Sequence, residues 1–391
     1  METKNWRLYE WKRSFELFPA ARNEDGFAAP AFLKDFYARK SAARSLPRRA
    51  ADALIGAGFR AWTSSRAAKI ARRFGMGDAW AAEAAAIARS TWGDPKEIAL
   101  FRSKDVSEFK AYLRKFEHTA INKRINPTNW RDDCILKFKD RFDARCAEEG
   151  FPTPRTFARN TGGKLEANGV PLGAEFCVKP VYGTGGVGFT HIADAPPLPD
   201  PAAVEAFLRS RIGAKVDWVA QDYLRTHANL ADIALDALAT MRISTMLNEV
   251  GAPEAVTTVL RFAGKPGARV DNIAAGGLMA HIDPETGALG RGCYGKRPGD
   301  FDAHPETGAA ITGRIVPFWR QALEMALAAH ARVTPAFALV GWDIAPTENG
   351  PVIIEANGMP CSTIAQRAVG RGAGDQRYGE LIAWHLAKAP E

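Results

Sequence analysis

The sequence predicts an α+β protein, built as two α+β lobes preceded by a mainly helical N-terminal region. Three observations carry this. Residues 1–130 are rich in Ala and Arg and show 3.6-residue apolar spacing, with no strand-like run. "INPTNW" (125–130) breaks that pattern with Asn, Pro and Thr. From about 171 short β-rich runs appear, first mixed with helical stretches and then clustered as hairpins, unlike a regular βαβ series. With 391 residues, 46% hydrophobic and 25% charged, the chain is long enough for two or three domains. The expected division is 1–130, 131–225 and 226–391.

In the first region "DAWAAEAAAIARSTW" and "VSEFKAYLRKFEH" read as helices. The net charge of +8 is concentrated here, where 25 Lys/Arg stand against 14 Asp/Glu. "SSRAAKIARRFG" puts Arg66, Lys69 and Arg73 on one helical face. Such a face suits an acidic or polyanionic partner or anionic lipid; the alternative is a solvated helix face. Nucleic acid is not expected, because no recognised module accompanies the charge.

"DCILKFKDRFDARCAEE" reads as a helix ended by Gly150 and the prolines of "GFPTP". Strands are expected at "EFCVKPV", "DWVAQDYL", "TMRISTMLN", "AVTTVLRFA", "GLMAHID", "FALVGWDIA" and "PVIIEAN", with helices near 201–213, 315–332 and 376–388. No apolar run reaches the length of a membrane span, and the N-terminus lacks the apolar core of a signal peptide. Five scattered cysteines without C-x-x-C point to reduced thiols in a cytoplasmic protein and away from a zinc site.

The chemistry starts at "ALVGWDIAPTENGPVIIEANGMP" (338–360), where two apolar runs each carry one acid. A carboxylate inside a buried strand is costly unless something pairs with it. Side chains alternate faces along a strand, so register decides whether the acids meet. A two-residue Asn349-Gly350 loop pairs 344 with 355 and separates them. A three-residue loop, Glu348-Asn349-Gly350, pairs 347 with 351 and sets Asp343 across from Glu355. Asn357 then shares their face, while Trp342, Ile344 and Ile354 turn to a core. Two carboxylates and an amide oxygen form a hard-oxygen cluster suited to Mg²⁺, an ion that usually keeps positions for substrate phosphates.

"VKPVYGTGGVGFT" (178–190) offers a place for those phosphates. Gly183, Gly185, Gly186 and Gly188 allow close approach of backbone N–H groups to an anion, and Lys179 adds a point charge. The spacing fits neither a P-loop nor a Rossmann turn. Taken alone, the turn reads equally as a surface hairpin. "WVAQDYL" (218–224) is an apolar strand ending in polar residues, as expected between lobes. Arg242 lies inside "TMRISTML", where a buried guanidinium takes an anion or an internal acid as partner.

In this order the signals resemble the ATP-grasp superfamily, and most closely its sugar-transfer-associated branch, with kinship to ribosomal-protein glutamate ligases. The resemblance covers about residues 130–385, and its strongest element is G-W-D-I-x(10)-E-x-N at 341–357. It implies an ATP-grasp fold, ATP with Mg²⁺ or Mn²⁺ as cofactors, and Asp343, Glu355 and Asn357 as metal ligands. It implies nucleotide contacts at Lys139, Lys179, the loop of Gly183, Thr184, Gly185 and Gly186, the interlobe strand Gln221, Asp222, Tyr223 and Leu224, and Asn272 of "DNIAAGG". Arg242 and Lys179 would act on the transferred phosphoryl group. Two departures stand out: Phe138 precedes Lys139 where an Asp is usual, leaving Lys137 as the other candidate, and the first 130 residues read as helices where many members carry an α/β domain.

The resemblance implies a ligase that joins a small-molecule carboxylate to an amine through an acyl phosphate, with a sugar-linked or amino-acid substrate. Two other readings use the same ATP site: a kinase acting on a hydroxyl, and a non-catalytic ATP-binding module.

Overall fold

The computed structural model describes residues 30–169, 173–183, 186–196, 198, 200–212 and 217–389. The described part of the N-terminal region, residues 30–130, is helical, as expected, and residues 1–29 lie outside the described residues. Helices α1 (Lys34–Ala42), α2 (Leu46–Phe74), α3 (Asp78–Thr91), α4 (Pro95–Phe101), α5 (Val106–Lys110) and α6 (Lys115–Ile125) follow one another. Alanines explain the tight pairing of α2 with α3: Ala67, Ala71, Ala81, Ala84, Ala85 and Ala88 are all buried between them and let the backbones approach. Helix α2 stops at Gly75, whose φ of +68° is the left-handed cap.

One expectation fails in this region. Arg66 is not part of a free basic face, because its guanidinium holds Asp94 at 3.0 and 2.9 Å. Asp94 in turn caps α4 through Lys96 N. The contacts of Arg66 are therefore internal, and the structure lends no support to a polyanionic partner at this helix. Asn126 is fully buried, and Leu33, Phe36, Tyr37, Ile121 and Ile125 share one apolar cluster with Met246, Leu339 and Leu381. The helical region is packed onto the second lobe.

The first lobe centres on an antiparallel sheet of β1 (Thr156–Thr161), β2 (Lys164–Ala167), β3 (Phe176–Pro180), β4 (Thr190–Ile192) and β5 (Trp218–Asp222), in the order β2-β1-β5-β3-β4. Helix α8 (Pro201–Ile212) covers it, burying Val204 and Leu208 among Phe157, Phe176, Val178 and Trp218. Helix α7 spans only Lys139–Glu148; the segment ahead of it is a 3-10 turn, Ile135–Lys137. That corrects the longer helix read from 133–149.

After α9 (Ala231–Ala234) comes a second antiparallel sheet, of β6 (Thr240–Leu247), β7 (Pro253–Phe262), β8 (Leu278–Ile282), β9 (Leu289–Tyr294), β10 (Asp300–Phe301), β11 (Leu339–Thr347) and β12 (Gly350–Asn357). Its order is β10-β9-β8-β7-β6-β11-β12. Helix α10 (Trp319–Val333) covers one face, sealing Met241, Ile243, Trp342, Ile344 and Ile353. His330 of α10 sits under this sheet between Thr245 Oγ1 and the Phe337 carbonyl, and Thr245 also accepts from Trp342 Nε1 at 2.9 Å. Those bonds satisfy the polar atoms that the Trp342 face would otherwise strand in a dry core. Helices α11 (Ser362–Val369) and α12 (Arg377–Lys388) close the chain. Among the described residues no helix is long and apolar enough to cross a membrane.

Candidate functional site

The acids meet, but by another route than the sequence predicts. Thr347 pairs with Gly350, so the turn has two residues, Glu348 and Asn349, and 347 does not pair with 351. A regular ladder from that turn would place Asp343 opposite Ile354. A β-bulge between Asp343 and Ile344 absorbs one residue of β12 and restores the pair Asp343–Glu355. Consequently Ile353, not Ile354, joins the core: Ile353 is fully buried and Ile354 half-buried. Gly350, at φ +112°, takes a conformation that favours glycine.

Register then builds the rest of the face. Arg242 of β6 stands directly across from Asp343 on its other side, and Thr240 of β6 pairs with Arg261 of β7. Alternation puts Thr240, Arg242, Asp343, Glu355 and Asn357 on one side of the sheet, with Arg261 beside them. Arg242 grips Asp343 with Nε on Oδ1 and with Nη2 2.8 Å from Oδ2. Arg261 Nη2 reaches the same Oδ2 at 2.9 Å and Thr240 Oγ1 at 2.7 Å. Thr240 donates to Asp271, which also lies 3.4 Å from Arg261 Nε. Asp343 is 1% exposed. Burial pushes its carboxyl up, yet Arg242 and Arg261 hold it down at about 2. Glu355 moves the other way, raised by burial and by the Asp343 charge and opposed by Lys139 and Arg242.

Asp343 and Glu355 lie within hydrogen-bonding reach of each other, and Asn357 Nδ2 is 3.5 Å from Glu355 Oε1. Two adjacent carboxylates, Asp343 buried and Glu355 half-buried, beside an amide oxygen fit a hard divalent cation. Each carboxylate oxygen has two acceptor sites, so the arginines do not exhaust Asp343.

Helix α7 joins this face to the first lobe. Phe142 packs in the second lobe's core, its ring 6.2 Å from that of Trp342. One turn earlier, Lys139 Nζ donates to the Gly183 carbonyl at 2.8 Å. Burial lowers its pKa, opposed by the nearby Glu355 and reinforced by Lys179. Lys139 is thus bonded to the glycine loop and within electrostatic reach of Glu355. Lys179 lies on β3 with Nζ 4.0 Å from Asp143 Oδ2, and Asp143 accepts from Gln221 Nε2 at 2.6 Å. Burial raises the Asp143 carboxyl against the pull of Lys179. Asp143 Oδ1 and Gln221 Oε1 are both buried with no hydrogen-bond partner, which leaves acceptors for a ligand's donors.

The glycine loop lies between the lobes. Gly183, Gly186 and Gly188 have φ of +125°, +73° and +81°, and a Cβ on Gly186 would lie 2.7 Å from Val270 of the second lobe. Thr184 and Gly185 lie outside the described residues. Asn272 follows Val270 by two positions, its carbonyl accepting from Ala275 N and Gly277 N in a tight turn. On the interlobe strand Asp222 is held by Arg155 at 2.9 and 3.0 Å. Tyr223 stacks on His191 with centroids 3.8 Å apart, and Leu224 is half-buried. Arg261, Asp271 and Asp143 are not singled out by the sequence reading. Arg261, a charge inside the apolar run "TTVLRFA", carries the same signal as Arg242.

Residues 200–377 match the family model described as sugar-transfer associated ATP-grasp. No curated protein matches the sequence. Among solved structures the chain is similar to a D-alanine–D-alanine ligase from Bacillus anthracis complexed with ATP, at 13% identity over 66% of each chain and a TM-score of 0.38. An L-amino acid ligase from Bacillus licheniformis is 15% identical over 66% of this chain and 48% of its own, with a TM-score of 0.38. A RimK domain ATP-grasp protein from Sphaerobacter thermophilus is 12% identical over 64% and 67%, with a TM-score of 0.33. The chain thus spans less than two-thirds of the first two structures. The matched segment takes in Arg242, Asn272 and the whole β11–β12 hairpin, while Lys139, Lys179 and the glycine loop precede it. Residues 200–377 of this two-lobed α+β chain are similar to the sugar-transfer associated ATP-grasp family.

Proposed function

We propose that this chain is an ATP- and Mg²⁺-dependent ligase that joins a carboxylate to an amine through an acyl phosphate, with lobes 131–225 and 226–391 clasping the nucleotide. The observation that carries the reading is Lys139, which binds the glycine loop at Gly183 while facing Glu355, so that loop, lysines and acids share one site. In this reading Gln221, Asp222, Tyr223 and Leu224 line the base, and Lys139, Lys179 and Asn272 hold the triphosphate with the loop 183–186. Asp343, Glu355 and Asn357 would hold Mg²⁺ or Mn²⁺, which would supply charge neutralisation at the phosphates. Arg242 and Lys179 stabilise charge on the transferred phosphoryl as a carboxylate oxygen attacks the γ-phosphorus and ADP leaves. Closure of the loop keeps water from the acyl phosphate. The amine then attacks the acyl carbon and phosphate departs. The substrate is read as sugar-linked or an amino acid, and the family's description, sugar-transfer associated, supports the sugar link.

Hydroxylamine traps acyl phosphates as hydroxamates and leaves phosphate esters alone. The protein is incubated with ATP, Mg²⁺ and pooled amino acids and uronic acids, then with hydroxylamine. Hydroxamate that requires both ATP and a carboxylate is the expected result. A stable phosphorylated product without hydroxamate would replace the ligase by a kinase.

A further inference from the structure

The helical region reaches the end of the metal-ligand hairpin through the side chain of Asn126. Asn126 Nδ2 donates to the carbonyls of Leu339 at 2.6 Å and Gly358 at 2.7 Å. Its Oδ1 accepts from Ala338 N at 2.7 Å and Leu339 N at 3.1 Å. The last pair of the hairpin is Gly341 with Asn357, so a longer β12 would pair Gly358 with Val340 and Met359 with Leu339. The amide of Asn126 takes that place, bonding both the N–H and the carbonyl of Leu339 as a strand residue would. The chain leaving Asn357 must therefore turn away, and Gly358 is where it does. Asn122 Nδ2 holds the same Gly358 carbonyl at 2.9 Å. A Cβ at Gly358 would lie 2.3 Å from Asn129 Oδ1 and 3.0 Å from Phe337 Cε1, so a larger residue there requires the Asn129 side chain to move.

We infer that Asn126, seconded by Asn122, is a positioning residue for the metal ligands: it fixes where β12 ends and thereby aims Asn357 beside Glu355. The N-terminal helices then complete the site from outside both lobes. Asn126 and Asn122 are 0% and 1% exposed, and the bonds described above all reach backbone atoms. Their bonds act on the open end of the hairpin, the end that carries the ligands, whereas the Glu348-Asn349 turn closes the far end. Partners that orient metal ligands typically contribute 10- to 100-fold in metal affinity.

The inference rests on the assignment of Asp343, Glu355 and Asn357 as metal ligands, and the test separates the two. Mn²⁺ is titrated into the full-length protein with ATP and followed by electron paramagnetic resonance, with thermal melting in parallel. Wild-type protein is expected to bind Mn²⁺ in an ATP-dependent manner. Asn126→Asp keeps the acceptor for Ala338 and Leu339 but loses both donated bonds, and is expected to weaken Mn²⁺ binding about tenfold. Asn122→Ala loses only its bond to Gly358 and is expected to weaken binding about threefold with wild-type melting; it decides the matter if Asn126→Asp fails to fold. Asn349→Ala, at the far end, should bind as wild type does. Folded Asn126 and Asn122 variants with wild-type Mn²⁺ affinity, whatever their melting, would overturn the positioning role alone. Wild-type protein that binds no Mn²⁺ would overturn the metal assignment and this inference with it.

Discussion

Arg242 and Asp343 face each other across adjacent strands, and both guanidinium nitrogens used by Arg242 fall on the two oxygens of one carboxylate. The pair is buried, and Arg261 shares it. Such a pair fixes direction more than it adds stability, because desolvation offsets most of the attraction. Its consequence is a carboxylate aimed at Glu355 and a guanidinium held beside both.

A lysine cannot reproduce that two-point grip. Arg242→Lys is expected to fold and to lose at least about 100-fold in ATP turnover, the scale of a lost transition-state donor. Steady-state kinetics with melting checks it; turnover within threefold of wild type would remove Arg242 from the site.

The two acids should fail differently. Asp343→Asn leaves Arg242 and Arg261 without their counter-charge, which costs about 3–5 kcal/mol and lowers the melting temperature as well as activity. Glu355→Gln removes one of two neighbouring like charges, so activity is lost with melting unchanged or raised. Equal melting of the two variants would contradict the charge assignment.

Lys139→Met breaks the bond to the Gly183 carbonyl that ties α7 to the glycine loop. A charged hydrogen bond of about 1.5–3 kcal/mol predicts a 10- to 100-fold weaker apparent affinity for ATP. Lys137→Met should leave affinity near wild type. Isothermal titration distinguishes them, and the reverse order would hand the role to Lys137.

Glu97 gives a pH prediction away from the site. Burial raises its carboxyl from 4.5 to about 7, with the Lys115 backbone N–H opposing. The fold therefore favours the protonated form: the stabilisation is complete below pH 4.5 and lost as pH rises through about 7. The loss is on the order of 3 kcal/mol. Wild-type melting should fall between pH 5 and 8, and Glu97→Gln should flatten that slope. Parallel profiles would contradict it.

Much of this was legible in residues. Each apolar run from "EFCVKPV" onward forms a strand because bulky β-formers alternate or cluster there. β1 and β2 are not legible, since "TFARN" and "KLEA" place Arg159 and Glu166 as an exposed cross-strand pair that masks the pattern. β9, "LGRGCY", hides behind its glycines; a Cβ on Gly292 would lie 2.2 Å from Phe301. The pairing of Asp343 with Glu355 is readable from the two apolar runs. How it is reached is not, because a bulge is a tertiary choice that keeps Ile353 in the core while turning Glu355 to Asp343. Asn126 is invisible for a similar reason: its partners lie more than 200 residues away.

The central claim is that a carboxylate takes the γ-phosphoryl group and gives up an oxygen with it. Once the hydroxamate screen has found an acceptor, that carboxylate is labelled with oxygen-18 and incubated with ATP, Mg²⁺ and the amine. The phosphate released is then weighed by mass spectrometry. An acyl phosphate requires one labelled oxygen per phosphate, since the bond that breaks is the acyl carbon to bridging oxygen. Phosphate without label, released alongside amide, would contradict the account.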